Sequence, residues 1–138
     1  MPYTALACGL EAGNLVMKPN TMKHRSEILL HVSGIPATGK SSFCRYLARE
    51  HGFAHYDLEC FPRGWPHPEL MSLLQSAPVD LVSKLRELHG NVAIDWGFPV
   101  ACIDIVHAFR NAGVRLVWFR GNIEHARKLF IKRGGIDL

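Results

Sequence analysis

One stretch of eight residues concentrates the chemistry available to this chain. Gly34-Ile35-Pro36-Ala37-Thr38-Gly39-Lys40-Ser41 fits the pattern G-x-x-x-x-G-K-[ST]. That combination suits phosphate binding. Gly34 and Gly39 permit φ > 0 and bring consecutive backbone N–H groups close to a phosphate. A helix starting at Lys40 would aim the positive end of its dipole at the same anion. Lys40 adds a full positive charge near β- and γ-phosphates, and the Ser41 hydroxyl is suited to ligate magnesium. Ser42, the next residue of that helix, completes the set of expected contacts.

Two further carboxylates fall where such a loop needs them. Val92-Ala93-Ile94-Asp95 is an apolar run ending in an acid, the expected second holder of the magnesium shell beside Ser41. Tyr56-Asp57-Leu58-Glu59 ends an earlier run. In an open parallel sheet, ligands gather outside the carboxyl ends of the strands, so these acids should face the transferable phosphate. Asp57 is suited to accept the proton of an attacking hydroxyl or to orient it. Arg63, in the same loop, is suited to an anionic substrate. Trp65, Trp96 and Phe98 would either stack on a base or pack their loops onto neighbouring elements.

The elements that must position these residues alternate in type. Apolar runs at 28–33, 53–56, 92–96 and 114–119 read as strands. Helical periods cover residues 40–50, with Phe43, Leu47 and Ala48 on one face, and also 69–75, 79–89 and 100–111. A last helix, capped by Asn122, runs to about residue 133. Strands alternating with helices give an α/β fold, a parallel sheet covered on both faces in three layers. Residues 1–26 lack a sustained period and include a second methionine in Met22-Lys23-His24-Arg25, so they are expected to be a poorly ordered extension to a single domain at 27–138.

Composition agrees with a globular chain. Of 138 residues, 48% are hydrophobic and 20% charged, which excludes a disordered tail. No apolar run approaches the ~20 residues of a membrane span, and residues 1–10 lack a secretory signal, so the expected location is the cytoplasm with no membrane partner. The net charge is +4, and the excess lies from Arg110 onward, which suits an anionic ligand. Cys8, Cys44, Cys60 and Cys102 match no zinc spacing, and the eight histidines form no ligand pattern. Neither type is expected to bind metal.

The order Gly34–Ser41, then Asp57-x-Glu59, then Asp95 resembles the P-loop kinases of the nucleoside monophosphate kinase type. It is most similar to the small AAA-like ATPase/kinase families that include polynucleotide kinase, zeta toxin and chloramphenicol phosphotransferase. The resemblance covers about residues 28–133. It implies ATP with magnesium as cofactors, a strand order of 2-3-1-4-5, transfer of phosphate to a hydroxyl, and a lid whose arginines reach the phosphates. Arg127 and Arg133 match the place of those arginines. Lys40, Asp57 and Arg133 are then the expected catalytic residues. The chain has no N-K-x-D motif, so ATP is implied rather than GTP. Where those families continue through a fifth strand and a closing helix, this sequence has five residues after Arg133, so a minimal or truncated member is expected, with the fifth strand missing. The expected function is transfer of the ATP γ-phosphate to a small molecule or a nucleic-acid end. An ATP-binding module without transfer and an ATP hydrolase are the alternatives.

Overall fold

The computed structural model describes residues 27–60, 63 and 65–134, so the 1–26 extension lies outside the described residues. The order of elements is β1 (Leu29–Gly34), α1 (Lys40–His51), β2 (Ala54–Asp57), α2 (Met71–Ser76), α3 (Pro78–Leu88), β3 (Val92–Asp95), α4 (Ile103–Asn111), β4 (Arg115–Phe119) and α5 (Ile123–Lys132). Short 3₁₀ turns, Pro68–Leu70 and Val100–Cys102, lead into α2 and α4. The four strands form one all-parallel sheet in the order β2-β3-β1-β4. The α/β class, the parallel sheet and the 2-3-1-4 order are as expected.

Alternation along the strands divides the core. Leu29, Tyr56, Val92 and Ile94 pack on one face with Leu81, Val82 and Leu85 of α3 and Val106 and Phe109 of α4. On the other face Val32 and Ala93 meet Cys44 and Leu47 of α1. Every residue of β3 is buried, which is why its sequence is an unbroken apolar run closed by an acid. Burying one large apolar side chain contributes roughly 1.5–3 kcal/mol, so the larger α3–α4 cluster carries most of the stability. The α1 face leaves room for polar side chains.

Local signals set the helix ends. Gly52, at φ +68°, stops α1 and donates its N–H to Leu47. Pro78 opens α3. The Asn122 side chain accepts the His125 N–H at 3.0 Å and caps α5. Two details differ from the sequence reading. The buried stripe of α1 is Lys40, Cys44 and Leu47, while Phe43 and Ala48 are only half-buried. Residues 100–102 form a 3₁₀ turn, and α4 proper starts at Ile103.

The parallel register brings the reactive ends together. Asp95 pairs with Asp57 of β2 and with Val32 of β1. Both acids and the β1–α1 loop therefore sit at the same edge of the sheet.

Candidate functional site

The loop from Gly34 to Ser41 turns through three positive-φ residues: Gly34 (+138°), Ala37 (+59°) and Gly39 (+94°). Ala37 has no glycine's freedom there, and holding it left-handed costs roughly 1–2 kcal/mol. The two glycines serve different ends. A Cβ on Gly34 would overlap the backbone carbonyl of Phe119 in β4, whereas a Cβ on Gly39 would meet nothing within 4 Å. The close approach expected at Gly34 is thus made to β4. Gly39 borders open space.

Inside the loop the Ile35 carbonyl accepts from Thr38 Oγ1 at 2.8 Å and from Lys40 Nζ at 3.0 Å. Lys40 is buried, and its stem lies close to Gly97, where an added Cβ would come within 3.7 Å of Lys40 Cε. The ammonium is thus held by a neutral carbonyl, with the Asp95 carboxylate near enough to feel its charge. Helix α1 starts at Gly39 with no side-chain cap, so no side chain claims the amides of its first turn.

Asp95 is fully buried. Its Oδ2 lies 3.2 Å from His55 Nε2, and its Oδ1 has no hydrogen-bond partner among the described residues. Burial opposes ionisation of this carboxyl, but His55, the Ser41 hydroxyl and Lys40 together outweigh it and hold its pKa below the ordinary value. Asp57 closes a tight turn at the end of β2, its Oδ1 accepting the Glu59 N–H at 2.9 Å and the Cys60 N–H at 3.2 Å. Glu59 reaches across to accept the Gly97 N–H at 2.8 Å, and Leu58 N–H bonds the Asp95 carbonyl at 2.9 Å. These bonds stitch the ends of β2 and β3 into one rim.

A cavity of about 670 Å³ opens over this rim. It is lined by every loop residue from Pro36 to Ser42, by Asp57 and Glu59, and by Arg133. Gly34, Ile35 and Asp95 lie behind the lining. Arg127, on α5, is exposed and is not among the residues that line the cavity, and Arg63 is exposed in the loop after β2. Thr38 packs against the β4–α5 turn, since a Cβ on Gly121 would come within 2.9 Å of its methyl. The tryptophans take the packing role. Trp96 is buried against His31 and Phe109, and Trp65 is buried edge-on to Tyr56 with its Nε1 donating to the Asp57 carbonyl at 2.7 Å.

The motif did not point to Arg45 and Phe130, which also line the cavity, or to Cys44 and His55, which surround Asp95. Part of the signal was available. Arg45 follows Ser41 and Ser42 by four and three residues, one helical face. His55 precedes Asp57 by two, one sheet face. Neither spacing is distinctive without the strand order.

No family model matches this chain, and a search of curated proteins finds no match either. Among the described residues no helix is long and apolar enough to cross a membrane.

Proposed function

We propose that the chain is a P-loop kinase that binds ATP with magnesium in this cavity and transfers the γ-phosphate to a hydroxyl. The reading rests on one observation above others: an uncapped helix N-terminus, a left-handed Gly39 and a buried Lys40 converge on one cavity. Together they make a site selective for a polyanion.

Each residue has a task in this reading. The amides at the start of α1 hold the β-phosphate. Lys40 leaves the Ile35 carbonyl for the β/γ oxygens. Ser41 and Asp95 are the residues that would hold magnesium, and the orphaned Oδ1 of Asp95 is a donor suited to its shell. Magnesium, when bound, supplies neutralisation of charge on the phosphate oxygens. Asp57 lines the same cavity, its carboxylate oriented by two backbone amides that use only Oδ1. It positions the acceptor hydroxyl and takes its proton. Arg133 at the cavity edge balances charge on the transferred group. Arg127, off the cavity, bridges to the sheet or to the acceptor side.

The direct test is titration calorimetry with ATP and magnesium, followed by label transfer from γ-labelled ATP to a panel of small hydroxyl compounds and 5′-hydroxyl oligonucleotides. ATP should bind, and Lys40→Ala should weaken binding by about 1.5–3 kcal/mol, the worth of a charge-assisted contact. No heat at millimolar ATP would overturn the reading. Binding without transfer to any acceptor would reduce it to a nucleotide-binding module.

Arg127 in α5 and Arg133, which ends that helix, offer a separate check. Six residues apart, Arg127 and Arg133 are separated by about 120° around a regular helix, so one phosphate cannot take both. Hydrogen exchange across residues 120–138 should slow when a non-hydrolysable ATP analogue is added. That protection should disappear in Arg133→Ala and persist in Arg127→Ala. Identical exchange with and without nucleotide would make α5 a static surface.

A further inference from the structure

Cys44, His55 and Asp95 come from three different elements, α1, β2 and β3, and are 11 and 40 residues apart in sequence. In the fold each offers one ligand atom, and these atoms all lie within 4.8 Å of one another. The cluster sits behind the nucleotide loop, on the α1 face of the sheet. Cys44 and Asp95 are fully buried, while the His55 side chain is 18% exposed on β2, an edge strand of the described sheet. Asp95 Oδ1 is an unpartnered oxygen inside this cluster.

We propose that these three side chains form a binding site for a borderline-soft divalent cation, with Zn²⁺ the best match to the donors. One thiolate, one imidazole and one carboxylate are zinc's own ligand types, whereas magnesium takes oxygen donors and avoids sulfur. Three protein ligands leave a fourth position for water, which suits an open site.

Charge and access both favour the assignment. A dication with one thiolate and one carboxylate sums to zero; Val32, Leu47 and Ala93 pack around Cys44, and the nearby charges, Asp57 against Lys40 and Arg45, are of both signs. Binding displaces the Cys44 thiol proton to solvent as the S–metal bond forms, with no redox change. His55, at the sheet edge, is the entry point and the member with room to move. Tetrahedral zinc ligands stand roughly 3.5 Å apart, so the cluster needs to close by about 1 Å.

The site does not depend on nucleotide, although it shares Asp95 with the kinase reading. A cation held here would draw that carboxylate away from Ser41, so zinc should inhibit magnesium-dependent transfer.

The test uses the full chain, stripped of metal and kept reduced by a phosphine, without nucleotide or magnesium. Titration with Co²⁺ should give a thiolate-to-cobalt charge-transfer band and visible bands of tetrahedral intensity, saturating at one equivalent and erased by one equivalent of Zn²⁺. Cys44→Ala should abolish the charge-transfer band. His55→Gln, at a partly exposed edge position, should weaken cobalt binding while circular dichroism shows the fold intact. Cys60→Ser and Cys102→Ser should leave the band unchanged. Absence of the band in the wild-type chain, or its survival in Cys44→Ala, would overturn the proposal whatever the outcome of ATP binding. Loss of the band in Cys60→Ser with retention in Cys44→Ala would place the cation on the exposed thiol and overturn it equally.

Discussion

Asp57→Asn should lower kcat and kcat/KM for phosphotransfer together, by about 10²–10⁴, while leaving ATP affinity nearly unchanged. The substitution is close to isosteric. Asn keeps an oxygen that accepts the Glu59 and Cys60 amides, so the turn at the end of β2 survives. What is lost is a carboxylate able to take the acceptor's proton. Asp57 and the α1 N-terminus line the same cavity. On the proposed reading Asp57 serves the acceptor and not the nucleotide, so its removal should spare ATP binding. ADP release in a coupled assay, set beside calorimetric ATP binding, separates the two. Asp95→Asn should behave differently, shifting the magnesium requirement because its expected contact is the metal shell. Equal small losses in both variants, at unchanged magnesium dependence, would make the two acids structural.

The contrast between these acids shows how far the sequence could be read. That Asp57 and Asp95 end strands was legible, because each closes an apolar run and an acid does not continue a buried strand. That they stand side by side required the strand order, which came from the resemblance to a kinase family and not from periodicity. The parallel register then sets Asp57 against Asp95. Cys44 shows the opposite case. Its helix was legible from the spacing of Phe43, Leu47 and Ala48, yet the buried face is rotated to include Lys40 and Cys44. A periodic pattern with half-apolar residues on both flanks does not fix the rotation of a helix. Packing against Val32 and Ala93 does. His55 was unreadable for a related reason: its partner, Asp95, is 40 positions away. Ala37 at φ +59° carries no sequence mark at all, since nothing in a alanine's composition announces a left-handed backbone.

The two glycines of the loop should fail in different ways when changed to alanine. Gly34→Ala should cost roughly 2–5 kcal/mol of folding stability. A φ of +138° is strained for any L-residue, by about 1–3 kcal/mol. The new Cβ would also overlap the Phe119 carbonyl, which is held in the β1–β4 ladder at the Gly34–Phe119 register pair. Relieving that overlap means parting the strands, and misfits of this kind cost about 1–3 kcal/mol. For a domain of this size the melting temperature should fall by roughly 10 °C or more. Gly39→Ala meets nothing within 4 Å, so only the strain at φ +94° remains, and its thermal loss should be clearly smaller. Its damage should appear in the ligand. Gly39 lines the cavity at the N-terminus of α1, and a methyl there would occupy space that the proposed phosphate needs. Thermal unfolding by circular dichroism and ATP titration on both variants read the two effects. Melting losses of the same size would contradict the distinct packing role of Gly34. Unchanged ATP affinity in a folded Gly39→Ala would mean that the loop does not cradle phosphate.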